Sequence, residues 1–217
     1  MTNQELFSYV DHTLLKPEAT PEQIAVLCAE AAEHGTASVC VNGSYVPLAK
    51  KLLGGKAKVC AVIGFPLGAM STAAKAFEAA EAVRDGADEI DMVIHIGQLK
   101  AGNTDYVLED IKAVKAAIGD HVLKVIIETC LLTEEEKITM CRIVTESGAE
   151  YIKTSTGFST GGATFDDVRL FAGHVGEGVK IKAAGGIRSR EDMEQFLQLG
   201  ASRLGTSSAV KILCGKN

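Results

Sequence analysis

The chain has 217 residues, 47% of them hydrophobic, and a formal net charge of −6. That length suits one domain with a sizeable core, and the acidic balance argues against a nucleic-acid surface, which carries a basic patch or stripe. No apolar run approaches the roughly 20 residues that span a bilayer, and residues 1–10 lack the basic-then-apolar layout of a secretory leader, so a cytoplasmic location is expected.

Short β-branched runs alternate with longer Ala-, Leu- and Glu-rich segments. In chain order the pattern predicts strands at 8–11, 37–41, 59–63, 89–94, 123–128, 151–154, 180–183 and 203–205. Between them it predicts helices at 21–34, 45–53, 73–85, 106–118, 133–147, 165–175 and 190–199, with a closing helix at 208–214. Eight βα units with no linker or charge block point to the α/β class, as a single (β/α)8 TIM barrel spanning 1–217. The length is short for that fold, so insertions must be few. An open doubly wound sheet is the competing arrangement.

A weak repeat runs through the chain: Gly35 to Cys40, Gly86 to Asp91, Gly148 to Lys153 and Gly200 to Gly205. Each opens on a glycine suited to a left-handed helix cap, turns, and enters a strand. The last positions, Cys40, Asp91, Lys153 and Gly205, should then lie at a comparable depth, near the strand ends where barrels build their sites. Taken alone, Gly-Ala is common in such loops; the chemistry at the final position gives the repeat weight.

Lys153 lies in Tyr-Ile-Lys-Thr-Ser-Thr-Gly, where strand periodicity puts Tyr151, Lys153 and Ser155 on one face. A lysine entering a barrel interior is costly unless paired or functional. Lys182, at the end of the next strand, is expected close to it, and like charges at short range favour a neutral amine able to attack a carbonyl. Lys180 has the same parity; Lys182 is preferred because it lies nearer the C-terminal rim. Asp91 serves either as a neutralising carboxylate or as the proton shuttle that imine chemistry requires. Asp11, Lys124 and Glu128 are expected to complete an internal polar network.

Two glycine-bearing loops, 184–188 and 205–208, follow the seventh and eighth strands, a frequent phosphate position in barrels. Their backbone N–H groups, with a helix N-terminus, suit an anion, and Gly157 in the sixth loop adds a further donor. The six cysteines form no Cys-x-x-Cys pair and the five histidines do not cluster, so neither a zinc site nor a disulfide framework is expected. Cys40 is read as a buried inert thiol at site depth.

These residues resemble the deoxyribose-phosphate aldolase family over essentially the whole chain. The matching blocks are Asp-His-Thr-Leu-Leu-Lys-Pro (11–17), Glu-Ile-Asp-Met-Val (89–93), Leu-Lys-Val-Ile-Ile-Glu-Thr (123–129), Tyr-Ile-Lys-Thr-Ser-Thr-Gly-Phe (151–158) and Val-Lys-Ile-Lys-Ala-Ala-Gly-Gly-Ile-Arg (179–188). The resemblance implies reversible cleavage of 2-deoxy-D-ribose 5-phosphate to acetaldehyde and D-glyceraldehyde 3-phosphate. It implies an imine on Lys153, with Lys182 and Asp91 moving protons and Gly185, Gly186, Gly205, Ser207 and Ser208 holding the phosphate. No metal or organic cofactor is implied, and family members are often homodimers. The chain departs from the family at Phe158, where some members carry a basic residue, and in its tail, which ends Gly-Lys-Asn without a tyrosine. A phosphosugar isomerase or a non-enzymatic sugar-phosphate binder would share the loops; the first needs a carboxylate base and no essential lysine, and the second has no use for two lysines and an aspartate at the strand ends.

Overall fold

In the computed structural model, which describes residues 1–215, eight parallel strands close into a barrel in sequence order. They are β1 (Val10–Leu14), β2 (Ser38–Asn42), β3 (Lys58–Ile63), β4 (Glu89–Val93), β5 (Val122–Ile126), β6 (Tyr151–Lys153), β7 (Lys180–Ala184) and β8 (Ala201–Thr206). The helices are α1 (Asn3–Phe7), α2 (Pro21–His34), α3 (Val46–Leu53), α4 (Thr72–Arg84), α5 (Ile96–Lys100), α6 (Thr104–Ile118), α7 (Glu134–Ser147), α8 (Phe165–His174), α9 (Arg190–Gln198) and α10 (Ala209–Cys214). Asp11 of β1 pairs with Gly205 of β8, which closes the sheet and leaves no free edge. The barrel displaces the open-sheet alternative.

Local chemistry sets the alternation. Thr20, Thr133 and Ser189 each form a capping box at the start of α2, α7 and α9. Gly35 and Gly148 end α2 and α7 in the left-handed region, at φ 68° and 80°, and the chain turns from there straight into β2 and β6. Along β4 all five residues are buried, but on two different faces. Ile90 and Met92 join the apolar layer under the helices, where each fully buried side chain contributes about 1.5–3 kcal/mol. Glu89 and Asp91 face the other way, into the barrel, where they meet charges from β5, β6, β7 and β8.

The structure departs from several of these bounds. The first strand begins at Val10 rather than at 8, because Ser8 caps α1 and its hydroxyl donates to the Glu5 carbonyl. That five-residue helix, closed by a Thr2–Glu5 capping box, is too short to show a period. The equally short α5 was not expected either, and α6 begins two residues before the predicted 106. Finally, β5 stops at Ile126, and Glu128 turns left-handed instead of extending the strand. Lys216 and Asn217, the last residues of the tail, lie outside the described residues.

Candidate active site

The barrel interior holds a compact set of buried charges. Asp91 Oδ2 accepts hydrogen bonds from Lys153 Nζ at 2.7 Å and Lys182 Nζ at 2.6 Å, and Asp91 Oδ1 accepts from Lys124 Nζ at 2.8 Å. Lys182 also donates to Asp11 Oδ2. Asp11 Oδ1 accepts from Ser38 Oγ at 2.6 Å and from Arg203 at 2.6 Å. Glu89 lies 2.6 Å from Lys124 Nζ and 2.9 Å from Arg203. Three carboxylates, Asp11, Glu89 and Asp91, thus face four cations, Lys124, Lys153, Lys182 and Arg203.

The electrostatics follow from this packing. Burial works to raise the Asp91 carboxyl, but Lys124, Lys153 and Lys182 together hold it well below the usual carboxylate range. Burial likewise opposes the charge on Asp11, and Lys182, Lys124 and Arg203 overcome it to pull that carboxyl down. Lys182 moves the other way: burial would discharge it, yet Asp11 and Asp91 hold its amine above the ordinary lysine value. This corrects the expectation of bare repulsion between Lys182 and Lys153. A carboxylate stands between the two ammonium groups, and Lys182 is compensated twice.

Lys153 differs from the other two lysines of this network in two respects. It has one carboxylate partner, and it lines a cavity of about 470 Å³ at the C-terminal ends of β1, β6, β7 and β8. Lys124, Lys182 and Asp91 lie beneath it, fully buried. Lys180 is exposed, its Nζ 5.7 Å from the Tyr151 ring centre, so strand parity alone misses the difference between the two β7 lysines.

All six loop residues expected at a phosphate, Gly157, Gly185, Gly186, Gly205, Ser207 and Ser208, line this same cavity. The N–H groups of Gly157, Gly185, Gly186 and Ser207 have no hydrogen-bond partner among the described residues. Gly205 meets a second demand: a Cβ there would lie 2.9 Å from Ala184 Cβ and 3.2 Å from Lys182 Cε. The repeat positions do converge, since Cys40 Sγ lies within 4.8 Å of an Asp91 oxygen, Asp91 binds Lys153, and Gly205 makes room for Lys182.

Several residues went unread in the sequence. Lys16 and Arg188, both exposed, bring positive charge to the cavity wall; each stands just past a strand end inside a block already singled out. Gly162 packs so closely that a Cβ would sit 2.4 Å from the Gly185 carbonyl oxygen, and Ala163 N donates to that carbonyl at 3.0 Å. Glu128 was expected in the interior network, but its carboxylate instead accepts from the Thr156 N–H and hydroxyl. Phe158 lines the cavity and stands edge-on to Phe65, ring centres 5.2 Å apart.

The thiols at site depth are buried. The Cys60 thiol beside Cys40 pulls the Cys40 pKa down against burial, whereas burial pushes Cys60 well up. Cys40, Cys60 and Asp91 bring three potential metal-ligand atoms within 4.8 Å of one another. Asp91 already compensates three ammonium groups, so a divalent cation there would meet strong repulsion.

The profile of the DeoC/LacD family aldolases matches residues 6–217. The chain belongs to that family. It is 56% identical to a deoxyribose-phosphate aldolase of Clostridioides difficile (strain 630), over 97% of this chain and 96% of the relative. Among solved structures, the aldolase QR15 superposes with a TM-score of 0.94 at 41% identity, covering 97% of this chain and 95% of that one. The deoxyribose phosphate aldolase of Aeropyrum pernix, described as tetrameric, does so at 0.88 and 33% identity, over 99% and 92% of the two chains. The closed barrel therefore belongs to a family of aldolases.

Proposed function

We propose that this chain is a class I aldolase that reversibly cleaves 2-deoxy-D-ribose 5-phosphate to acetaldehyde and D-glyceraldehyde 3-phosphate through an imine on Lys153. The observation that carries the reading is that Lys153 alone among the buried lysines of the network opens onto the cavity holding the glycine loops. With four cations facing three carboxylates, one amine can be neutral without leaving a carboxylate unpaired. Deprotonating Lys153 gives up one carboxylate contact, whereas Lys182 has two, Asp11 and Asp91.

The neutral Lys153 amine attacks C1 of the open-chain sugar, and water leaves as the imine forms. The C2–C3 bond then breaks: the C3 hydroxyl loses its proton, and the electron pair moves into an enamine on C2. Protonation of C2 and hydrolysis return the lysine and release acetaldehyde. Asp91 and Lys182, 2.6 Å apart, are the acceptor and donor for these transfers. Asp91 becomes a better base once Lys153 no longer presents an ammonium to it. The phosphate sits against Gly157, Gly185, Gly186, Gly205, Ser207 and Ser208, on the unpartnered N–H groups of Gly157, Gly185, Gly186 and Ser207 and on the Ser207 and Ser208 hydroxyls. Since Phe158 is uncharged, positive charge at this mouth comes from Lys16 and Arg188.

We further infer a single catalytic domain, a homodimer and a cytoplasmic location. No helix among the described residues is long and apolar enough to cross a membrane, and the cysteines are unpaired. Light scattering decides between a dimer and the tetramer described for the Aeropyrum pernix relative. The activity is tested by incubating the protein with 2-deoxyribose 5-phosphate and measuring acetaldehyde, with and without a chelator. Acetaldehyde should form at equal rates in both, and Lys153→Ala should form none. Loss of activity on chelation would point instead to metal-dependent cleavage.

A further inference from the structure

Among the described residues Glu128 is the only non-glycine with positive φ, at φ 56° and ψ 68°. Sterics disfavour that conformation for a side-chain-bearing residue, and it persists only where the surroundings enforce it. Glu128 is 2% exposed, and no cation partners it among the described residues. Both of its carboxylate oxygens are spent on one residue: Oε1 accepts from the Thr156 N–H at 3.2 Å, and Oε2 from the Thr156 hydroxyl at 2.5 Å. The turn carrying Glu128 is pinned to β6, because Thr129 N donates to the Thr154 carbonyl at 2.9 Å.

The Thr156 hydroxyl in turn accepts from the Phe158 N–H at 3.0 Å. Three donors of this loop are therefore consumed: the Thr156 N–H and hydroxyl by Glu128, and the Phe158 N–H by Thr156. The Gly157 N–H remains without a partner among the described residues, in a residue that lines the cavity. Gly157 also packs against the second glycine loop, its Cα 3.5 Å from where a Gly185 Cβ would stand. A buried carboxylate in an unfavourable backbone conformation thus fixes which donor the sixth loop offers, and where.

We propose that Glu128 is a positioning residue for phosphate selectivity: through Thr156 it holds the 156–158 loop so that the Gly157 N–H joins Gly185 and Gly186 as a donor to the substrate phosphate. This rests on reading the cavity as a phosphate subsite. Glu128 touches neither the phosphate nor the reacting carbons. Its loss should weaken recognition of the phosphorylated substrate more than it weakens imine chemistry at Lys153.

The test compares kcat/KM for 2-deoxyribose 5-phosphate with kcat/KM for unphosphorylated 2-deoxyribose, in wild type and in Glu128→Gln, Thr156→Val and Thr156→Ser. Glutamine keeps one acceptor oxygen but loses the second, and valine removes the hydroxyl while keeping the shape. The ratio of the two values should fall about tenfold or more in Glu128→Gln and Thr156→Val, mainly through KM, as expected for lost charge-assisted hydrogen bonds. Inhibition by inorganic phosphate should weaken in step, and Thr156→Ser should keep the wild-type ratio. An unchanged ratio in a folded Glu128→Gln and in Thr156→Val, or equal losses on both sugars, would overturn the role of Glu128 and leave the subsite standing. A wild type with no preference for the phosphorylated sugar and no inhibition by phosphate would overturn the subsite and the proposal with it.

Discussion

Asp91 sits at the point where the buried charges converge, and its chemistry depends on what surrounds it. Three ammonium donors hold it ionised. Replacing it with asparagine removes the negative charge that separates Lys153 from Lys182 and deletes the proton acceptor. Asp91→Asn should lower kcat by about 10²–10⁴-fold, the usual span for a lost acid–base group; a kcat within threefold of wild type would exclude Asp91 from proton transfer. Lys182→Leu strands Asp11 beside fewer cations and removes the donor, so steady-state turnover should fall comparably. Reduction of the Lys153 imine with acetaldehyde should still be detectable in that variant. At this scale the interior positions of Asp11, Asp91, Lys124, Lys153 and Lys182 were legible from strand parity, whereas Glu89 and Arg203, which share the network, were not singled out. Lys182 and Lys180 share that parity, and closeness to the C-terminal rim, not parity, tells them apart. Glu128 misled for a related reason: parity assigns a face only while the chain stays extended, and the chain turns left-handed at that residue.

The working elements are the ends of β6, β7 and β8, which lie so close that backbone touches backbone. Thr154 Oγ1 donates to the Ala184 carbonyl at 3.1 Å, Gly162 abuts Gly185, and Gly205 abuts Ala184 and the Lys182 stem. Gly205→Ala should therefore act on two properties at once. The added methyl overpacks β7 against β8 at a cost of about 1–3 kcal/mol, and it displaces Lys182 Cε from 3.2 Å. Thermal unfolding and kcat should fall together, and a variant as active and stable as wild type would contradict the packing described here. The long helices and the strands between them were legible because their periods run over enough residues to register. The short α1 and α5 were not, since five residues carry about one turn, and their stability comes from the Thr2–Glu5 capping box at α1, the His95 cap at α5 and a few buried contacts. Gly162 was likewise invisible, because its role lies in a contact with Gly185 across the loops.

For the whole molecule, the charged interior ties stability to pH. Asp11, Glu89 and Asp91 all have carboxyls lowered in the folded state. Groups of that kind stabilise fully above their unfolded pKa of about 4, and the contribution is lost as pH falls through the lower folded values. Lys124 and Lys182 are raised, so their contribution is complete below about 10.4 and is lost only as pH rises through the folded values. Urea midpoints should show a plateau between these limits as far as this network is concerned, with an acid limb that flattens in Asp91→Asn. An acid limb unchanged in that variant would show that Asp91 is not what sets it. The barrel itself was legible from eight alternating units, whereas the way seven charges share its interior was not, because it depends on the stagger between strands. We propose that Lys153 is the amine that meets the substrate. Reduction with borohydride in the presence of acetaldehyde, followed by mass spectrometry of the peptides, tests it directly. One ethyl adduct is expected, on Lys153 and absent from Lys153→Ala; an adduct on Lys182, Lys124 or any other lysine, or none at all, would overturn the role of Lys153.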